Sequence, residues 1–294
     1  MKIVVTGSLG NISKPLTGIL VKAGHEVTVV SSNKNKVKEI ESLGAKASIG
    51  SVTDVKFLTE TFKGADAVYT MVPPNFAAAD MKGFIAGVVK NYAEAIKAAG
   101  VKKVVNLSSI GAHLTSGAGP ITGLQLGENH LNALENVSVI HLRPGYFYFN
   151  LYSNIGLVKN MGIIGSNISG DTSMVMAHPS DIAEAAAREL QSSFNGKKAE
   201  YVVSDERTAK DIARVLGEAI GKPGLPWVAF TDEQAYSGMI QAGLPGEPAK
   251  NYVEMGSAMN KRVVWEDYLQ HKPSGVGKIK LEDFAKEFAR AYNA

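Results

Sequence analysis

The chain has 294 residues, 45% of them hydrophobic and 20% charged, with a net charge of +3. That length holds one large α/β domain or a sheet domain with a smaller cap, and the composition excludes a disordered or fibrous chain. Lysines scattered in pairs such as Lys102-Lys103 and Lys197-Lys198 give no support for nucleic-acid binding, and the lack of cysteine excludes disulfides, thiolate metal sites and cysteine nucleophiles, so redox work needs a cofactor.

The first apolar run is short and leads straight into glycines, unlike a signal peptide, and no apolar stretch approaches the roughly 18 residues that span a bilayer. A soluble, cytoplasmic protein with no membrane partner is expected. Short β-branched runs then alternate with helical stretches. Strands are predicted at 2–6, 26–30, 47–49, 67–72, 103–107 and 137–142, with helices at 11–23, 34–43, 53–63, 80–99 and 126–135. Gly24, Gly44, Gly64 and Gly100 follow the first four helices, where a left-handed cap belongs. After Pro144 come an aromatic segment, a glycine-rich stretch at 161–170, a helix at 180–191, a strand at 201–204 and a mostly helical tail.

This alternation predicts the α/β class, with a doubly wound parallel sheet and a smaller, mostly helical C-terminal cap. The expected division is a dinucleotide-binding domain over 1–150 and a substrate cap over 151–294, interleaved with the sheet through the strand near 201–204.

Gly7 and Gly10 sit directly after the first strand and open the first helix. In such a turn the first glycine makes the bend, the second admits the pyrophosphate, and the backbone of Leu9, Asn11 and Ile12 wraps it. Ser13 stands at the third position of the spacing, so close helix-to-strand contact is only approximated. The second strand runs into Ser31-Ser32-Asn33-Lys34-Asn35-Lys36, which has donors and no carboxylate. An acidic residue there suits the ribose hydroxyls of NAD, whereas a 2′-phosphate needs donors and positive charge. Ser31, Ser32, Asn33 and Lys36 therefore favour NADP(H), with NAD(H) as second choice. Val72 and Pro73 end the fourth strand, where the architecture passes beneath the cofactor, and Pro74 continues that wall.

With these come Leu107-Ser108-Ser109-Ile110-Gly111-Ala112, the segment from Leu142-Arg143-Pro144-Gly145 to Leu151, and His178-Pro179-Ser180-Asp181-Ile182-Ala183. Together with the glycine turn they resemble the NmrA-like branch of the atypical short-chain dehydrogenase/reductases. The resemblance implies a Rossmann domain, a small cap and a substrate cleft between them. It covers quinone and enone reductases as well as proteins that sense the cofactor without turnover. The wider superfamily uses a serine, a tyrosine and a lysine four residues on. Ser108 or Ser109 matches the serine by position, but no tyrosine or lysine lies between Asn106 and Leu142. The catalytic group is thus open among Ser108, His113 and Tyr146, with solvent protonation as the alternative.

Pro74, together with Tyr146, Phe147 and Asn150 beyond the sixth strand, is assigned to the substrate pocket, with Phe149 and Tyr152 as further apolar wall; core packing is the competing explanation for the aromatics. Asp181 or Ser180 is expected to cap the helix that follows. The six histidines show no i, i+4 pairing, so no metal site is expected. The expected activity is NADPH-dependent reduction of a small apolar, quinone-like or enone-like acceptor; the alternative is a non-catalytic NADP(H)-binding redox sensor. Self-association as a homodimer stays open.

Overall fold

A computed structural model describes residues 1–294. The first half lays down β1 (Lys2–Val5), α1 (Ser13–Lys22), β2 (Glu26–Ser31), α2 (Val37–Ser42), β3 (Lys46–Ile49), α3 (Val55–Phe62), β4 (Ala67–Thr70), α4 (Met81–Ala99), β5 (Lys103–Leu107), α5 (Pro120–Asn132) and β6 (Ser138–Pro144). Gly24, Gly44, Gly64 and Gly100 all adopt positive φ, between 71° and 83°, so each reverses the chain after its helix as a residue without Cβ can.

The second half contributes β7 (Tyr146–Phe147), α6 (Ile155–Met161), β8 (Ile164–Ser166), β9 (Ser173–Ala177), α7 (Pro179–Gln191), β10 (Lys197–Val202), β11 (Asp205–Thr208), α8 (Ala209–Ala219), β12 (Trp227–Ala229), α9 (Asp232–Gln241), α10 (Gly246–Asn260), α11 (Glu266–Gln270) and α12 (Leu281–Asn293). The main sheet has seven strands in the order β10-β6-β5-β4-β1-β2-β3, every pair parallel. The order reverses direction between β1 and β4, and ligands of open α/β sheets bind outside the strand ends at such a switch point. The turns after β1 and β4 flank that point.

One apolar core lies between the sheet and α1 with α7, a second between its other face and α3 with α4. A third fills the cap, from Tyr148 and Leu151 to Trp265, Phe284 and Phe288. Both α7 and β10 return from the second half to the sheet. No helix is long and apolar enough to cross a membrane.

Two of the expected elements begin well before their sequence pattern does. α5 begins at Pro120, not near 126, because packing against α4 outweighs the helix penalty of Gly123 and Gly127. The edge strand β10 covers 197–202 rather than 201–204; its first residues are exposed lysines that hide the strand pattern and suit an unpaired edge.

Candidate active site

β1 delivers the chain into Gly7, at φ 93°, where a Cβ would lie 2.6 Å from Ser13 Oγ and 2.7 Å from the Met71 side chain. Only glycine fits there. Ser13, at the third position of the spacing, donates its hydroxyl to the Thr6 carbonyl at 2.8 Å, so a hydrogen bond closes the turn. α1 starts with no side-chain cap and no acidic residue in its first turn, and the Asn11 and Ile12 amides have no backbone acceptor. Free N–H groups at the positive end of a helix, behind a glycine without Cβ, fit the diphosphate of a dinucleotide.

The end of β2 is tied to this turn through Ser8 and Ser31, whose hydroxyls meet at 2.9 Å. The Asn33 amide donates to Ser31 Oγ at 3.1 Å, and Asn33 Oδ1 accepts from the Asn35 amide at 2.9 Å. Ser32 is exposed. Lys36 and Lys14 both pair with Glu39, at 2.7 and 2.9 Å, and these two contacts pull the Glu39 carboxyl down to about 2. The donors lie beside the turn, but a carboxylate one helical turn further on partly neutralises the lysines.

A cavity of about 540 Å³ runs from Gly7, Gly10, Asn11 and Ile12, past Val72, Pro73, Pro74 and Ser108, to Tyr146, Phe147 and Asn150. Its wall contains no Asp, Glu, Lys, Arg or His. Ser108 donates to the buried Glu128 carboxylate at 2.6 Å, and Glu128 takes two N–H groups of Arg143, at 3.0 and 2.7 Å. Arg143 continues to Asp267 on α11 at 3.2 Å, and Tyr201 of β10 donates to the same Asp267 oxygen. This chain of contacts joins the sheet to the cap directly behind the cavity.

Residues 7–134 match the NAD(P)H-binding family model. Across 99% of both chains the protein is 26% identical to an NAD(P)H azoreductase of Xenophilus azovorans. The NADPH-dependent quinone oxidoreductase of Escherichia coli, solved with NADPH, superposes with a TM-score of 0.82 at 21% identity over 97% of this chain and 99% of that one. Citrobacter sp. triphenylmethane reductase follows at 0.81 and 20%, over 99% and 100%. At these identities the solved structures establish a shared fold.

Within the matched segment, α5 presents Pro120, Ile121 and Leu124 to the cavity, apolar groups on a helix that has neither tyrosine nor lysine. Leu9 packs half-buried against the core below the turn. Ser31, Ser32, Asn33 and Lys36 lie beyond the cavity, at the end of β2. His113 does not face the cavity. The chain turns twice after Ser108, and both ring nitrogens end buried without a hydrogen-bond partner. Tyr148 and Tyr152 point into the cap core, stacked on Phe284 and Phe288, so of the aromatic segment only Tyr146, Phe147 and Phe149 reach the cavity.

The cap of α7 is His178, whose Nδ1 accepts from the Ser180 amide at 3.1 Å, and not Ser180 or Asp181. Asp181 instead accepts from Ser204 Oγ at 2.6 Å and from the amides of Lys278 and Ile279 at 3.0 and 3.2 Å, which anchors the segment before α12. Tyr252, Met255, Met259 and Trp265 complete the cavity wall. Sequence reasoning missed all four. They belong to α10 and the turn after it, whose pattern reads as an ordinary amphipathic cap.

Proposed function

We propose that the protein is an NADPH-dependent reductase of small, planar, apolar acceptors of the quinone, enone or azo kind. The observation behind this reading is the single cavity that begins at the glycine turn and ends on aromatic side chains, with no ionisable group in its wall except two tyrosines. Such a wall suits an uncharged aromatic acceptor and would leave a carboxylate or phosphate substrate unpaired.

When bound, NADPH supplies a hydride. With one proton from water, the acceptor gains two electrons and two hydrogens and NADP⁺ remains. The chain's own part is positioning and exclusion of water. Gly7, Gly10 and the Asn11 and Ile12 amides would hold the diphosphate, and Ser31, Asn33, Lys14 and Lys36 lie on the side that suits a 2′-phosphate. Val72 to Pro74 form a wall with few donors, while Phe147 and Phe149, with ring centroids 5.0 Å apart, offer a flat apolar face. The committed proton of Ser108 excludes it as the acid, which fits acceptors whose reduced form water can protonate.

The test is NADPH and NADH consumption over a panel of quinones, enones and azo dyes. Consumption above the blank, faster with NADPH, is expected. No acceleration by any acceptor would overturn the reading. A redox sensor is favoured by the missing tyrosine-lysine pair, and it would show no turnover together with unequal affinities for NADPH and NADP⁺.

A further inference from the structure

Five residues of the cavity wall carry a hydroxyl: Ser13, Ser108, Ser109, Tyr146 and Tyr252. The three serine protons are already committed, to the Thr6 carbonyl at 2.8 Å, to Glu128 at 2.6 Å and to the Ile110 carbonyl at 3.0 Å. Elsewhere the buried Tyr92 donates to the Met71 carbonyl and Tyr268 to Glu206, at 2.8 and 2.6 Å. The Tyr146 and Tyr252 hydroxyls have no protein acceptor, and neither is sealed away from the cavity. They are its free hydroxyl donors.

The two phenols come from different halves of the site, Tyr146 from β7 and Tyr252 from α10. They line one cavity, and burial first, then Tyr252, push the Tyr146 phenol above its ordinary range, while burial pushes Tyr252 the same way. Both therefore stay protonated and can donate. Tyr252 is held in place on two sides. Its ring lies 6.3 Å from that of Phe76, and the α10 backbone is seated on Gly119, where a Cβ would collide with the Asn251 carbonyl.

Resting on the reductase reading above, the geometry points to Tyr252 as a specificity-determining donor that acts with Tyr146 on the heteroatom of the acceptor. The cavity thereby selects flat molecules bearing a carbonyl oxygen or azo nitrogen over equally flat hydrocarbons. On hydride transfer to a quinone, the electron pair of one C=O bond moves onto oxygen. The two phenol O–H groups face that developing charge, keep their own protons, and water supplies the last one. In an apolar wall a donor of this kind is worth more than in water, because a heteroatom entering without it loses its hydration uncompensated.

The test separates binding from turnover by using the NADP⁺ complex, which cannot reduce anything. Affinities for 1,4-naphthoquinone and for naphthalene are measured by titration calorimetry with wild type, Tyr252→Phe and Tyr146→Phe; the chain has no cysteine to react with the quinone. Each variant is expected to weaken naphthoquinone by about 5- to 10-fold and to leave naphthalene unchanged, because the ring is retained. Three results overturn the proposal: unchanged naphthoquinone affinity in Tyr252→Phe, a parallel loss of naphthalene, or a wild type that binds both equally. If the binding difference holds while NADPH is not consumed with naphthoquinone, the reductase reading fails and the tyrosine pair stands as a binding device.

Discussion

Ser108 gives its proton to Glu128 at 2.6 Å, and Glu128 is gripped by Arg143 through two parallel N–H contacts, with the two ionic side chains only 5% and 12% exposed. The serine therefore turns lone pairs, not a proton, toward the cavity. It can accept from an amide N–H but cannot protonate a product. Ser108→Ala is expected to lower kcat for quinone reduction by less than about 10-fold, far below the loss of a true general acid. A larger loss in steady-state turnover would restore the serine as proton donor.

Glu128 carries the structural share of the same contact. Glu128→Leu leaves the Arg143 guanidinium buried with half its partners gone, at a cost of about 3–5 kcal/mol in urea unfolding. Pairing it with Arg143→Met is expected to recover most of that loss, since a buried ion pair and a well-packed apolar pair differ little in net stability. A double variant as unstable as the single one would argue against this account.

Glu39 holds both Lys14 and Lys36 beside the end of β2. Glu39→Gln frees the two ammonium groups and is expected to tighten NADPH by about 3-fold or more at low salt while NADH is unchanged, the gain fading as ionic strength rises. Because Glu39 stays ionised down to about 2, the wild-type pairing does not vary over the neutral range. Titrations of both cofactors at two salt concentrations decide the point.

His141 supplies a pH dependence of stability. Its Nδ1 lies 3.1 Å from the Asn106 amide and its Nε2 lies 3.0 Å from Asn132 Oδ1. Thr70 occupies Asn106 Oδ1 as donor at 2.9 Å, so Nδ1 must accept and the ring is neutral. Burial, the largest influence, lowers its pKa below the ordinary 6.5. The unfolded chain then binds the proton more readily than the folded one, so stability is full above about pH 6.5 and falls as pH drops toward the folded value. Urea midpoints should decline from pH 7.5 to pH 5, and His141→Gln, weaker at pH 7.5, should decline less.

Gly119 carries the seat of α10 at φ 57°, ψ −129°, a region closed to side chains. Gly119→Ala is expected to cost about 1–3 kcal/mol and to displace Tyr252. Raised KM for the acceptor with an unchanged Kd for NADP⁺ is the expected signature; a loss confined to cofactor binding would contradict it.

The β-α-β opening, the alternation to β6 and the four glycine caps were legible because each is written locally, in spacing and turn chemistry. Gly7, Gly10, Pro73, Ser108, Tyr146 and Asn150 could be placed at the cavity for the same reason: they follow strand ends, and a doubly wound sheet directs those ends to one edge. The sequence by itself determined the cofactor turn and the absence of the tyrosine-lysine pair. Only the tertiary structure decided where the serine protons go, that Glu39 tempers the lysines, that His113 turns away, and that Tyr252 joins Tyr146. Those outcomes depend on contacts between segments far apart in the chain, set by how α10 and α11 pack on the sheet, and no local periodicity records which side chains will meet across that packing.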